Sequence, residues 1–347
     1  MPRLQVRFHS VFASSNQVFV GKMTKRCNIL KPTKANRLRC ADYLRKGEVV
    51  GLPTETVYGL AGNALCETTV RKIFEVKGRP FIDPLIVHFD SLESASQHVD
   101  FGELAEELAT RFWPGALTMV LPKRDSIPDI VTAGLPSVAI RVPAHPVFRS
   151  LLKELDFPLA APSANPFGYV SPTCAEHVQA TLGYRITAVL DGGACLHGVE
   201  STIIDLRTPG QPKILRPGPI SAEELGIPTP TTVATTGKEA ARIAPGMLTQ
   251  HYSPRTPIQL FPHGDQPEDP APSAAVLYNS RPATNALHGN LFWLSENGDP
   301  VVVAHNLFLL LQKLDAGNYT ELYVERAKDN GVGIAVNDRL TRAAAKR

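Results

Sequence analysis

Gly51-Leu52-Pro53-Thr54-Glu55-Thr56-Val57-Tyr58-Gly59-Leu60 opens the stretch around which this chain is organised. Lys77-Gly78-Arg79-Pro80 and then Pro84-Leu85-Ile86-Val87-His88 close it. Val49 to Leu52 reads as the end of a strand running into a turn set by Pro53. Two threonines and a glutamate follow, beyond the C-terminal end of a strand, where ligand-facing residues of α/β sheets sit. The spacing of Val70, Ile73 and Phe74 predicts an amphipathic helix over Glu67–Lys77. Gly78 suits the position just past that helix, and Pro80 stops the chain from turning helical again. Lys77 and Arg79 are then left at a helix end, beside a short strand at 85–89 that carries His88 near its end. Cations, hydroxyls and an imidazole converging on one cleft suit a polyanionic ligand such as a nucleotide triphosphate.

Working outward, a helix is predicted at 35–46, carrying Leu38, Ala41 and Leu44 and stopped by Gly47. Further helices are expected at 92–99, 103–112 and 146–155, and strands at 117–121, 138–142 and 159–161. Thr173 and Glu176 have capping-box spacing, opening a helix to Leu182. Short apolar strands follow at 188–190, 202–205 and 213–215. Strands and helices alternate, with enough adjacent short strands to imply an α/β fold built on an open, twisted mixed sheet with a concave basic cleft. Residues 227–257, rich in Thr and Pro, read as an extended linker. Beyond it, strands at 274–278, 291–294 and 322–324 with helices at 306–314 and 337–345 make a smaller, Rossmann-like α/β unit. The expected division is a basic extension at 1–33, a catalytic domain at 34–226, the linker at 227–257 and a C-terminal domain at 258–347.

At 347 residues the chain is long enough for two cores, and 43% hydrophobic with 20% charged residues marks ordinary globular material. A net charge of +3 is too mild to argue nucleic-acid binding by itself. The five cysteines are widely spaced with no Cys-x-x-Cys pair, which signals neither a zinc site nor a disulfide framework and fits a reducing compartment. The richest apolar run, 301–314, is interrupted by His305, Asn306, Gln312 and Lys313, so no membrane partner is expected. Residues 1–40 contain no Asp or Glu. That leader is read as an upstream extension of a cytoplasmic protein, with an organellar transit peptide as the alternative.

The motifs in this order resemble the YrdC-type family of threonylcarbamoyl-AMP synthases, whose signature runs Pro-Thr-Glu-Thr-x-Tyr-Gly-Leu, Lys-x-Arg-Pro and Pro-Leu-x-x-His. Ser137-Val138-Ala139-Ile140-Arg141-Val142-Pro143, Ala161-Pro162-Ser163-Ala164-Asn165, Glu200-Ser201-Thr202 and Arg216-Pro217-Gly218 continue the match. Pro245-Gly246-Met247 and His251-Tyr252-Ser253-Pro254 look like the linker of the longer, two-domain form. The resemblance implies activation of L-threonine, carboxylated on its amine by bicarbonate or CO2, with ATP as a substrate and Mg²⁺ as the accompanying ion. It also implies a threonylcarbamoyl transferase complex acting on tRNA as partner, with tRNA or duplex RNA as a further one. By motif position Lys77 and Arg79 would be catalytic. Arg79, Asp83, Ser137, Ser163, Ser171, Arg216 and Tyr252 would contact ATP. Thr56, His88, Arg141, Ser201 and Ala161, the last through its backbone, would hold L-threonine. Asp83 departs from the family, which usually has Asn there; an acid beside phosphates would repel them unless it binds Mg²⁺ or turns outward.

Such chemistry needs positioning and charge neutralisation rather than a nucleophile, and neither a Gly-x-Ser-x-Gly elbow nor a Gly-x-x-x-x-Gly-Lys-Ser/Thr loop is present. Read alone, the same residues have plainer uses. Lys77 and Arg79 would complement a helix C-terminus. His88 would be an edge-of-core imidazole, Ser163, Asn165 and Ser171 turn formers beside prolines, and Tyr252 a packing residue. His197 has no second ligand nearby, and no metal site is expected. Two rival functions are a carbamoyltransferase using the same module, which would carry zinc-finger cysteines missing here, and a non-catalytic binder of duplex RNA.

Overall fold

The computed structural model describes residues 26–227, 251–283 and 290–345; Pro245-Gly246-Met247 and the leader up to residue 25 lie outside them. Among the described residues the first sheet has the strands β1 (Asn28–Leu30), β2 (Val50–Leu52), β3 (Gly59–Asn63), β4 (Ile86–His88), β5 (Leu117–Pro122), β6 (Ser137–Arg141), β7 (Leu159–Ala160), β8 (Ala188–Leu190), β9 (Thr202–Asp205) and β10 (Lys213–Arg216). Their order is β1-β8-β2-β3-β7-β4-β6-β5-β9-β10, with parallel and antiparallel neighbours mixed as the alternation implied. Helices α1 (Lys34–Arg45), α2 (Glu67–Lys77), α3 (Leu92–Ser96), α4 (Glu103–Phe112), α5 (Asp129–Thr132), α6 (Pro146–Leu152) and α7 (Ala175–Leu182) accompany it.

Several elements depart from the reading above. Strand β1 falls inside the expected extension and pairs in parallel with β8. Strand β3 was not expected, because two glycines and an asparagine in five residues hide the pattern. Those glycines permit close approach: a Cβ on Gly59 would lie 3.1 Å from the Ala161 Cβ, and one on Gly62 would lie 2.7 Å from Thr69 Cγ2. The capping box at Thr173 does not form; α7 starts one residue later, from Cys174, and the Thr173 amide donates to His177 Nδ1. Helix α6 ends at Leu152, three residues short of expectation.

The second sheet holds β11 (Ile258–Phe261), β12 (Ala275–Ser280), β13 (Leu291–Ser295) and β14 (Leu322–Glu325), all parallel, in the order β11-β14-β12-β13. Helices α8 (Pro300–Asp315) and α9 (Val332–Ala343) flank it. Helix α8 begins six residues before the expected start, because Asp299 caps it through the Val301 and Val302 amides with Pro300 in its first turn. The two sheets are not independent. Val57, Val170 and Val199, in loops that connect elements of the first sheet's unit, join Leu307, Phe308 and Leu311 of α8 in one apolar core, which also buries Tyr252. Among the described residues no helix is long and apolar enough to cross a membrane.

Candidate active site

Strand ends and turns of the first sheet converge on one cleft. Thr54 and Thr56 follow β2, while His88 and Arg141 end β4 and β6 and stand opposite each other in register. The cleft is lined by these residues with Arg79, Ala161, Ser163, Glu200, Ser201, Arg216, His251 and Tyr252, and its interior volume is about 40 Å³. Of the residues singled out from sequence, Lys77, Asp83, Ser137 and Ser171 stand behind that lining rather than in it.

Local sequence explains how each cation is held. Gly78 takes φ 65° just past α2, so the chain turns sharply and Arg79 reverses into the cleft. Arg79 donates from Nε to the Asp83 carbonyl at 3.1 Å and from Nη2 to the Pro84 carbonyl at 2.8 Å. Its Nη2 also lies 2.8 Å from Asp83 Oδ1. That contact is ionic rather than an aligned hydrogen bond, since neither Asp83 oxygen has a hydrogen-bond donor. Burial pushes the Asp83 carboxyl above its ordinary value, with Arg79 and Lys77 opposing the shift. Asp83 therefore neither faces outward nor repels a ligand directly; it partly neutralises Arg79. Lys77 Nζ donates to the carbonyls of Ser163 and Asn165 at 2.5 and 2.6 Å. Burial, with Arg79 nearby, holds its ammonium well below the usual lysine value.

Arg216 donates from Nε and Nη2 to the Ser201 carbonyl at 3.1 and 3.0 Å, and from Nη2 to Ser201 Oγ at 3.1 Å. Arg141 spreads its guanidinium over three partners: the Gly115 carbonyl, Thr56 Oγ1 at 2.9 Å and Glu55 Oε1 at 2.6 Å. Burial works to raise the Glu55 carboxyl, but Arg141 and the Ala144 amide outweigh it and leave it below its ordinary value. His88 is pushed down to about 3 by burial and by the neighbouring Arg141, so its imidazole is neutral, and Nδ1 has no partner.

Tyr252 closes the cleft from the C-terminal side. It adopts φ 63°, a backbone region costly for a tyrosine, and its buried hydroxyl has no partner. Its ring stacks on Phe308 of α8 at 5.5 Å, and the Arg339 guanidinium of α9 lies 5.3 Å from the ring centre. The Ser253 amide donates to the Gly168 carbonyl at 2.8 Å, fixing this segment against the first sheet's loops.

Residues 42–218 match the Sua5_yciO_yrdC family, described as telomere recombination, and residues 220–345 match the threonylcarbamoyl-AMP synthase C-terminal domain. A Pyrococcus abyssi protein named threonylcarbamoyl-AMP synthase is 37% identical, over 88% of this chain and 93% of its own. One from Bacillus subtilis with the same name is 37% identical, over 89% and 93%. The chain belongs to the threonylcarbamoyl-AMP synthase family. The crystal structure of P. abyssi Sua5 complexed with L-threonine superposes with a TM-score of 0.81 at 35% identity, covering 92% of this chain and 97% of that one.

In this member of the threonylcarbamoyl-AMP synthase family, the motif residues outline the cleft and others complete it. Glu55 orients Arg141, and Thr54 Oγ1 accepts from the Thr56 and Val57 amides, shaping the turn that presents Thr56. Glu200 joins the two sheets: Oε1 accepts from Ser171 Oγ at 2.6 Å and Oε2 from Arg339 Nε at 2.7 Å. Glu55 and Glu200 were visible inside quoted motifs, between threonines and before a serine. Arg339 gave no local signal, being one charge in a helix of mixed pattern.

Proposed function

We propose that this chain makes threonylcarbamoyl-adenylate and pyrophosphate from L-threonine, bicarbonate or CO2, and ATP. The product then serves a transferase that modifies an adenosine of tRNA next to the anticodon. The observation carrying this reading is the convergence of buried Arg79, Arg141 and Arg216 on one cleft whose wall also holds Thr56 and neutral His88. The names of the relatives and the threonine complex of the P. abyssi protein support it.

Arg141 takes the threonine carboxylate, a match of guanidinium fork to carboxylate. Thr56, Ser201 and the Ala161 backbone hold the amine and hydroxyl, and His88 can share a hydrogen bond without adding charge. The threonine nitrogen bonds to the carbon of CO2 and loses a proton, giving a carbamate. A carbamate oxygen then bonds to the α-phosphorus of ATP. The bond to the bridging oxygen breaks, and pyrophosphate leaves with its electron pair. Lys77, Arg79 and Arg216 neutralise charge gathering on the phosphates, with Ser163 and Tyr252 as further contacts and Asp83, Ser137 and Ser171 as a supporting layer. No group of three His, Cys, Asp or Glu among the described residues is placed to hold a metal. Mg²⁺ would accompany the triphosphate, whose oxygens suit a hard cation.

The proposed division keeps the linker at 227–257 and the C-terminal unit at 258–347, and moves the start of the catalytic unit from 34 back to take in β1, which pairs with β8. A cleft of about 40 Å³ is far below the roughly 300 Å³ at which small-molecule pockets begin, so His251 and Tyr252 act as a lid that withdraws to admit ATP. The deciding experiment measures pyrophosphate release with L-threonine and bicarbonate each present or omitted. Release that requires both supports the reaction; release indifferent to threonine overturns it.

A further inference from the structure

The four parallel strands of the second sheet end side by side, at Phe261, Ser280, Ser295 and Glu325. Beyond those ends lies a cavity of about 360 Å³, bordered by His263, Asn279, Asn297, Val303, Lys328 and Gly333. None of these residues lines the cleft described above. Strand β12 leads outward to β13 on one side, while β14 lies on its other side, so the strand order reverses there. Open α/β sheets hold ligands in such crevices.

Three features give this crevice a chemical character. Asn279 is only 4% exposed; its amide donates to Glu325 Oε2 at 2.7 Å and its Nδ2 to the Arg326 carbonyl at 2.8 Å. The Nδ2 bond fixes which end of the side chain is oxygen, and that buried Oδ1 has no donor. An unmade hydrogen bond of this kind destabilises a protein, and a ligand hydroxyl or amine would relieve it. Second, the twelve-residue helix α9 starts from Gly331 with no side-chain cap, whereas α8 is capped by Asp299. Its positive end is bordered by Gly333, whose amide donates to the Asn330 carbonyl, so the helix dipole rather than that N–H favours an anion. Third, exposed Lys328 adds a cation at the same rim. The buried carboxylate nearby, Glu325, has both oxygens engaged, by the Gly264 and Asn279 amides, with His263 Nδ1 2.9 Å from Oε1.

We propose that this crevice binds a phosphorylated ribose, as in a mononucleotide. A ribose hydroxyl donates to Asn279 Oδ1, the phosphate meets the first turn of α9 beside Lys328, and Pro300, Val303 and Ala327 supply an apolar wall. The volume falls within the range of small-molecule pockets, about 300–1,000 Å³. The proposal is independent of the reaction assigned to the cleft.

The test is calorimetric titration of the full-length chain with ribose 5-phosphate, AMP and inorganic phosphate, repeated in Asn279→Leu and Lys328→Glu. The expected result is binding of ribose 5-phosphate that weakens at least tenfold in each variant, with pyrophosphate release from the cleft unchanged; AMP also fits the cleft, so for AMP the expected result is loss of one of two binding components. Phosphate alone should bind more weakly and be insensitive to Asn279→Leu. Lys328 lies on the surface, so its variant stays informative if the buried substitution disturbs folding. Absence of binding by either sugar phosphate at millimolar concentration overturns the proposal. So does binding of equal strength in both variants, which would place it elsewhere, or phosphate binding as tight as ribose 5-phosphate.

Discussion

Lys77 and Arg339 are both buried cations, 3% and 0% exposed, yet their surroundings differ in kind. Lys77 is held by two neutral carbonyls, and among the described residues it makes no ion pair. Burial and Arg79 oppose its charge. Arg339 lies between the carboxylates of Glu200 and Asp338, at 2.7 and 2.6 Å, and donates to the Pro217 carbonyl at 3.0 Å. Burial opposes that charge too, but Tyr252 and the two carboxylates outweigh it and raise the guanidinium above its ordinary value. A buried cation matched by carboxylates is settled within the fold. One cradled by carbonyls beside other cations, with the Asp83 carboxylate shared between it and Arg79, is left short of counter-charge that a ligand would supply.

The contrast breaks first at Arg339. Arg339→Met leaves Glu200 buried without its cation, and losing one partner of a buried pair costs about 3–5 kcal/mol. Denaturant unfolding measures it; a loss under about 1 kcal/mol would mean Glu200 is solvated or re-paired, and the contrast would fall. Lys77→Met should do the reverse. Turnover of ATP falls about 10²–10³-fold, the scale of removing a group that stabilises charge in a transition state. Unfolding free energy stays level or rises, because no carboxylate is orphaned. A Lys77→Met protein that is both active and destabilised would make this lysine a structural residue.

The two cations were unequally legible. Helix α2 ends at Lys77 as the Val70, Ile73 and Phe74 spacing and Gly78 require, so the lysine's place followed from local sequence. His88 and Arg141 could be put at strand ends, but their pairing in register depends on β4 lying beside β6, which no local pattern encodes. Asp83 pairs with Arg79 because the chain reverses after Gly78, a turn whose tightness is visible only in three dimensions. Arg339 was illegible for a deeper reason. Its partner Glu200 is 139 positions away, and a charge in an amphipathic helix normally faces water. Docking of α9 on the first sheet, not the helix's own sequence, buries it.

A smaller effect sharpens the comparison through pH. His88 stays neutral in the folded protein down to about 3, while the unfolded chain takes up a proton near 6.5. Stability is therefore lost as pH falls below 6.5, amounting to about 2 kcal/mol at pH 5 for this one residue. His88→Leu should make the change in unfolding free energy between pH 7 and pH 5 smaller by about that amount. An unchanged slope would show that His88 gains a proton partner on acidification, and that the cations around it repel a further charge less than Lys77 implies.

The smallest effect falls where the two environments meet. The Tyr252 ring lies against Arg339 and Phe308, on the settled side, while its residue lines the cleft and its hydroxyl has no partner. Tyr252→Phe keeps the ring and removes only that hydroxyl. If the oxygen serves ATP, the KM for ATP rises about two- to tenfold, the worth of one neutral hydrogen bond, with kcat little changed. Stability should not fall, because a buried hydroxyl without a partner contributes nothing to the folded state and costs its desolvation. A stability loss with unchanged KM would put the hydroxyl on the Arg339 side, as part of the docking contact. The KM and the unfolding free energy of one variant thus separate a lid that touches the nucleotide from a clasp that only joins the two sheets.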